Sequence, residues 1–283
     1  MLAKTSLDSS VHSRIAAEKA GWISPREDFL SMGPLHDALH SVGFVEGLTV
    51  VTEVRHPYEP RPELMDSLVM APPGVVVDSV IEVVNEWSWF GRDREVSQVI
   101  LDQNAFLSCE QELLQIGLPY RLVHSSTGIP DRVRLSQRGD ILILEKGSDP
   151  VGWNEIQTFP KVAKSGYYGR ISKTETPKDI NSHRIIWLSF LPSDDQAGSL
   201  SSILRILADL GLDLSYIRSF PVLAGGHGFH TVFSLGPGKH DFEEVVRDAL
   251  GPDVKVRITG QFAVAPEFRQ HPKNLKPVWS SLW

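Results

Sequence analysis

The stretch GSLSSILRILADLGLDLSYIRSFP (198–221), continued by FHTVFSL (229–235), DFEEVVRDALG (241–251) and VKVRITG (254–260), decides the fold. In its first half Leu200, Ile203, Leu204, Leu207 and Leu210 recur at steps of three and four, which marks one face of a helix. Gly211 stands where a left-handed residue ends such a helix. LDLSYIRSF (212–220) reads as extended, and Pro221 with AGGHG (224–228) as a hairpin loop. FHTVFSL puts Phe229, Thr231, Phe233 and Leu235 on one face of a strand. A second helix follows, with Phe242, Val245, Val246 and Ala249 inward and Gly251 ending it. VKVRITG alternates Val254, Val256 and Ile258 against Lys255 and Arg257, the pattern of a half-solvated strand. With the apolar run Ile185–Leu191 as the first strand, the order is β-α-β-β-α-β, a ferredoxin-like plait.

Upstream, residues 1–182 read as alternating α/β. SRIAAEKAG and GPLHDALHSVG predict short helices, and LTVVTEV, VVVDSVIEVV, YRLVHSS and DILILEK predict strands. Several of these strands are apolar on both faces, as in a parallel sheet covered by helices. HPYEPRPE and APPG punctuate the chain as loops. The tail RQHPKNLKPVWSSLW has no period and reads either as a packed arm or as an interface strap.

Composition narrows the function classes. The 283 residues are 41% hydrophobic and 22% charged, too apolar for a disordered chain. A net charge of −7 argues against electrostatic capture of nucleic acid or of an anionic membrane. No apolar run approaches the roughly 20 residues that span a bilayer. The opening MLAKTSLDSSVHSR carries one Lys and no apolar core, unlike a secretory signal. The single cysteine, Cys109, fits a reducing compartment, so a cytoplasmic location is expected. HDALH (36–40) places His36 and His40 one helical turn apart, but no third ligand follows, and a solvated helix face is the expectation. GGHG (225–228) lacks the strand-to-helix setting that a phosphate cradle needs. In TEVRHPY, Arg55 stands at a strand end, as a pocket lip facing a ligand or as an exposed turn.

From Ser165 onward the chain resembles the prephenate dehydratase family, a catalytic domain followed by a phenylalanine-sensing ACT domain. GYYGRISKTETPKDINSHRI is similar to the family's Tyr-Gly-Leu segment followed by Asn-x-Thr-Arg-Phe. GSLSSILRILADLGLDLSYIRSFP is similar to its ACT signature, Gly-Ala-Leu through Glu-Ser-Arg-Pro. HSSTGIPDRV (124–133) resembles the catalytic Ser-Thr-Ala segment, SLDSSVHSRIAA (6–17) the N-terminal loop, and VVTEVRHPY the strand of its Pro-Ile-Glu-Asn-Ser motif. The likeness spans Ser6 to Val264 and is densest in the plait. It implies a two-lobed, periplasmic-binding-protein-like α/β catalytic domain at 1–182, an ACT domain at 183–265 and a tail at 266–283. It also implies prephenate as the small-molecule substrate, no cofactor, no metal, and a homodimer.

Residue by residue, Asn181 and Arg184 match the family's Asn and Arg, while His183 stands where the catalytic Thr belongs. Ser126 and Thr127 match the Ser-Thr pair, Ser13, Ala16 and Ala17 match the N-terminal loop, and Ser9 and Ser10 fill its turn. In the plait Gly198 and Leu200 match, whereas Arg218 replaces the signature Glu and Phe220 the Arg; Gly198, Leu200 and Arg218 mark the expected regulatory site. The family separates its Thr-Arg-Phe strand from the ACT glycine by a second strand, but Arg184 and Gly198 are too close for two strands and a linker. Ile185–Leu191 therefore serves as the catalytic-domain strand, as the first strand of the plait, or as both; as the plait strand alone it leaves His183 and Arg184 at the domain junction.

A prephenate site needs a guanidinium or several N–H donors, because desolvated carboxylates are costly unless paired. The resemblance gives that clamp to Arg184, with Ser126, Thr127, Asn181, Ser9, Ser10 and Arg55 as further substrate contacts. A dehydratase must also protonate a departing hydroxide, the work of the family's Thr. Members of the superfamily in natural-product pathways that are similar in lacking this Thr decarboxylate prephenate without aromatising it. The resemblance therefore predicts a non-aromatising prephenate decarboxylase with His183 as proton donor. The alternatives are a dehydratase with an altered acid and a non-catalytic, amino-acid-responsive binding protein. Blander readings stand beside each residue: Arg184 as a domain-bridging cation, His183 as a capping imidazole, Ser126–Thr127 as a turn cap.

Overall fold

The structure, a computed structural model, describes residues 2–4, 10–24, 30–92, 96–124, 127–174, 183–193, 196, 198–222, 226–237 and 242–263. In chain order the first elements are β1 (Leu2–Lys4), α1 (Ser10–Lys19), β2 (Leu30–Ser31), α2 (Leu35–Phe44), β3 (Thr49–Glu53), α3 (Pro62–Met70) and β4 (Val75–Gly91). Next come β5 (Gln98–Asp102), α4 (Gln103–Ile116), β6 (Tyr120–Val123), α5 (Ile129–Leu135), β7 (Asp140–Glu145), β8 (Asn154–Glu155) and β9 (Val162–Lys173). The last are β10 (Arg184–Pro192), α6 (Ser199–Asp209), β11 (Asp213–Pro221), β12 (His227–Leu235), α7 (Phe242–Leu250) and β13 (Val254–Ala263). Mixed α/β architecture is thus present throughout. The chain divides into two units, one of residues up to 38, Val50–Glu53 and Ile81–Tyr168, the other of Leu39–Thr49, Val54–Val80 and the residues from Gly169 on.

In the first unit β5 lies parallel to both β6 and β7, and β7 runs antiparallel to β4 from Trp87↔Glu145 to Gly91↔Ile141. All six residues of β7 are buried, the mark of a strand covered on both faces. The helix α4 seats Ala105, Cys109 and Leu113, one turn apart, against Trp87, Trp89, Val99 and Ile141. Its ends are set locally: the Asp102 carboxylate accepts from the Ala105 N–H at 2.8 Å, and Gly117 closes it in the left-handed region. The sequence pattern missed this helix, and it also assigned the Pro-rich segment before Leu64 to a loop. In fact α3 starts at Pro62, where a fixed φ and a missing N–H suit the first helical position.

In the second unit the strand order β11-β12-β10-β13, all antiparallel, with α6 and α7 as the crossovers, is the ferredoxin-like plait. Register runs from Arg184↔Leu235 to Phe190↔Phe229 on one side of β10 and from Arg184↔Ala263 to Pro192↔Val254 on the other. The run Ile185–Leu191 is therefore the plait's first strand. One face of the sheet carries Ile186, Leu188, Phe190, Phe229, Phe233 and Leu235 into a core with Ile203, Leu207, Phe242 and Val246. Ile206, rather than Leu204, completes the helix stripe. Gly198 caps α6 at φ 96°, and Gly211 and Gly251 adopt φ 73° and 74° after α6 and α7.

On the opposite face Lys255 is exposed, as the alternation in VKVRITG predicts, but the middle of the face is covered. Trp187 is fully buried there and donates its indole N–H to the Pro57 carbonyl at 2.8 Å. Arg257 donates to the Val69, Ala71 and Pro72 carbonyls at 2.9, 2.6 and 2.9 Å, at the C-terminal end of α3. A cation is favourable at that end of a helix. The alternation in sequence was right, but α3 covers the polar side.

Candidate functional site

In the first unit α1 begins at Ser10 and carries His12 and Ser13 inward. His12 is 2% exposed, its ring stands edge-on to Trp87 at 5.4 Å, and its Nδ1 lies 3.8 Å from Glu145 Oε1. Burial pushes the imidazole down to about 4, against the pull of a hydrogen bond to the Glu86 backbone and of the Glu86 and Asp102 carboxylates. The ring is consequently neutral at pH 7, and its approach to Glu145 is not an ion pair. Among the described residues, Ser13 Oγ and Trp87 Nε1 are buried without hydrogen-bond partners. Each such group costs about 1–3 kcal/mol, so unsatisfied ones commonly mark where a water or a polar ligand sits. Ala16 and Ala17 are fully buried beside Ile23, Val51 and Tyr168 and anchor the helix.

Thr127 sits in the turn that leads into α5. Its N–H donates to the His124 carbonyl at 2.9 Å, and its own carbonyl accepts from Arg132 Nε at 2.8 Å. The same guanidinium gives Nη2 to Asp102 at 2.7 Å, with both side chains over nine-tenths buried. Asp102 thus caps α4 with one oxygen and holds Arg132 with the other, and Arg132 fixes the turn bearing Thr127. Buried pairs of this kind are worth most as fixtures, because removing one partner strands the other charge.

In the second unit His183 is exposed immediately before β10, and Arg184 at its first position is 2% exposed. Strand alternation puts Arg184 on the face of Ile186 and Leu188. Arg55 is a non-glycine residue at φ 70°, and its guanidinium is 3.0 Å from Glu59 and more than half exposed. Such backbone strain persists only where surrounding structure enforces it. Here Tyr58 and Pro57, which touch Ser234 and Trp187, hold the loop. Of the expected regulatory residues, Gly198 caps α6, Leu200 packs partly buried against the plait core, and Arg218 lies on β11 with Nη1 3.8 Å from Asp66.

The structure thus places His183, Arg184, Arg55, Gly198, Leu200 and Arg218 in one unit and Thr127 and the α1 backbone at Ser10 in the other. Ser9, Ser126, Asn181 and the tail at 266–283 lie outside the described residues. His36 and His40 are exposed on α2, and among the described residues no three His, Cys, Asp or Glu side chains cluster as a metal site. Sequence reading missed His12, Asp102, Arg132 and Glu145. Asp102 was findable as a carboxylate just before an apolar helical stripe, whereas Arg132 meets it across 30 residues with no local signal.

No family model matches the sequence, and no curated protein matches it. Solved structures do. The prephenate dehydratase of Arthrobacter aurescens in complex with L-Phe aligns over 94% of this chain and 90% of its own, with a TM-score of 0.72 at 15% identity. The prephenate dehydratase of Staphylococcus aureus subsp. aureus Mu50 aligns over 93% and 100%, with a TM-score of 0.65 at 16% identity. GqqA, described as a novel type of quorum-quenching acylase, aligns over 95% and 100%, with a TM-score of 0.69 at 14% identity. The chain therefore has the fold of these proteins along nearly its whole length.

Proposed function

We propose that the chain is a lyase acting on prephenate and that it decarboxylates prephenate without aromatising the ring. The observation that carries the first part is the fold shared with two prephenate dehydratases over more than nine-tenths of the chain. On this reading residues 1–182 are the catalytic domain, 183–265 an ACT domain that pairs two chains, and 266–283 a tail. The second part rests on His183 standing where the family has a hydroxyl, directly before the buried guanidinium of Arg184.

The chemistry follows from those two groups. Arg184 binds a carboxylate of the substrate, with Thr127, Ser126, Asn181, Ser9, Ser10 and Arg55 as further contacts. The bond from the ring to its carboxylate breaks and carbon dioxide leaves. The electron pair moves through the diene, and a proton from His183 is taken up at its far end. The ring alcohol stays, and the product is a dihydro-4-hydroxyphenylpyruvate. An exposed imidazole can be reprotonated from solvent after each turnover. Dehydration to phenylpyruvate would instead need a proton delivered to the departing oxygen.

Incubation with prephenate, with the product followed by absorbance and NMR, tests this. A product that keeps the ring alcohol supports the reading, and phenylpyruvate replaces it with dehydration. No turnover overturns both and leaves an amino-acid-responsive binding protein. His183→Ala is expected to abolish decarboxylation, and His183→Thr to shift the product toward phenylpyruvate.

A further inference from the structure

A transverse row of polar side chains crosses the α3-covered face of the plait. The register places Arg218 of β11 opposite His230 of β12, His230 opposite Ser189 of β10, and Ser189 opposite Arg257 of β13. Asp66 of α3 completes the row. Ser189 Oγ is 2.8 Å from His230 Nδ1, and His230 Nε2 is 2.9 Å from Asp66 Oδ1. A carboxylate only accepts, so Nε2 carries the hydrogen and Nδ1 is left to accept from the serine hydroxyl. The chain of bonds thus runs from Ser189 to His230 to Asp66, the direction in which a base activates a nucleophilic hydroxyl. Arg218 Nη1 lies 3.8 Å from Oδ2 of the same carboxylate.

Ser189 does not face a closed core. With Asp66 and Arg257 it borders a cavity of about 520 Å³ whose walls include Val69, Met70, Phe190, Phe220 and Val222. Phe220 lies over Gly228, where a Cβ would come within 2.1 Å of the ring, and stacks on His230 at 4.2 Å. Glycine is needed there so that the aromatic ring can shield the imidazole from water. The walls are apolar and the cationic lining comes from Lys255 and Arg257. Three N–H groups of Arg257 are used by the α3 carbonyls, and no carboxylate pairs with it among the described residues.

We propose that Ser189 is the nucleophile of a serine-type acyl-transfer site in the plait, acting on carboxylic esters with an apolar acyl group. The acyl tail occupies the apolar walls. Ser189 Oγ bonds to the ester carbonyl carbon as its proton passes to His230 Nδ1, and the carbonyl electron pair moves onto oxygen beside the Arg257 guanidinium. That pair returns, the carbon–oxygen bond to the alcohol breaks, and His230 hands its proton to the leaving alcohol. Water then repeats the sequence on the acyl-serine and releases the acid. Burial lowers the His230 pKa, which keeps the ring ready to accept a proton at neutral pH.

The full chain is treated with a fluorophosphonate probe and, separately, with p-nitrophenyl butyrate. The expected results are probe attached to the peptide containing Ser189, and ester hydrolysis that Ser189→Ala reduces to the buffer rate. Ser189→Cys keeps the side chain's size and is expected to move reactivity to iodoacetamide at position 189. Asp66→Asn is expected to lower kcat at least tenfold with KM little changed, a split that loss of packing would not produce. An unlabelled Ser189 in a folded chain, or labelling confined to other serines, would overturn the proposal. The row would then only satisfy its own buried polar groups. Prephenate turnover does not enter this test, so the two readings stand or fall separately.

Discussion

Stability of the first unit should depend on pH through His12 in a way that one substitution removes. The imidazole has its ordinary pKa of 6.5 when unfolded and about 4 when folded, because burial against Trp87 excludes the charged form. Between those values the unfolded chain binds a proton that the folded one refuses, so stability is fully present above pH 6.5 and falls as pH drops toward 4. At 1.36 kcal/mol per pKa unit the whole loss amounts to about 3 kcal/mol, with about 1.4 kcal/mol gone by pH 5.5 and about 2.6 kcal/mol by pH 4.5. His12→Gln keeps a polar side chain but cannot titrate. Urea unfolding of both proteins, followed by tryptophan fluorescence at pH 7.5, 6.5, 5.5 and 4.5, isolates the effect as a difference of differences. Wild type is expected to lose these amounts relative to the variant. Parallel curves over the whole range would refute the argument and mean that the ring is hydrated.

Asp102→Asn strands the buried Arg132 guanidinium and removes the charge that caps α4, so a loss of about 3–5 kcal/mol in denaturant unfolding is expected, with faster amide exchange in the turn at Thr127. Gly198→Ala meets no atom of the described residues within 4 Å but must hold φ 96°, which is expected to cost about 1–2 kcal/mol in thermal or urea unfolding. Cys109 is fully buried and its thiol pushed up to about 12, chiefly by burial, so a thiol reagent at pH 8 should leave it unmodified in the native chain and react at once in urea.

The plait was legible because each of its elements declares itself locally. The step of three and four in SLSSILRILAD and the alternation in FHTVFSL need only neighbouring residues, and glycines at 198, 211 and 251 mark the turns. The α/β character upstream was legible for the same reason, although α3 and α4 were not. One starts inside a Pro-rich stretch, and the other spaces its buried Ala105, Cys109 and Leu113 among polar residues. The candidate residues carried by resemblance, His183, Arg184 and Thr127, were visible as letters in a motif.

Their surroundings were not. Arg257 read as a solvent-facing residue until α3 was seen to lay its terminal carbonyls against it. Asp102 and Arg132 meet across 30 residues, Ser189 and His230 across 41, and His230 and Asp66 across 164. Periodicity fixes which face of a strand a side chain occupies, and so the sequence alone determined the plait and its helix-covered core. Which strands lie side by side, in what register, and which helix covers the second face depend on the whole chain's packing. Only the tertiary structure could therefore align a serine, a histidine and an aspartate into one hydrogen-bonded row.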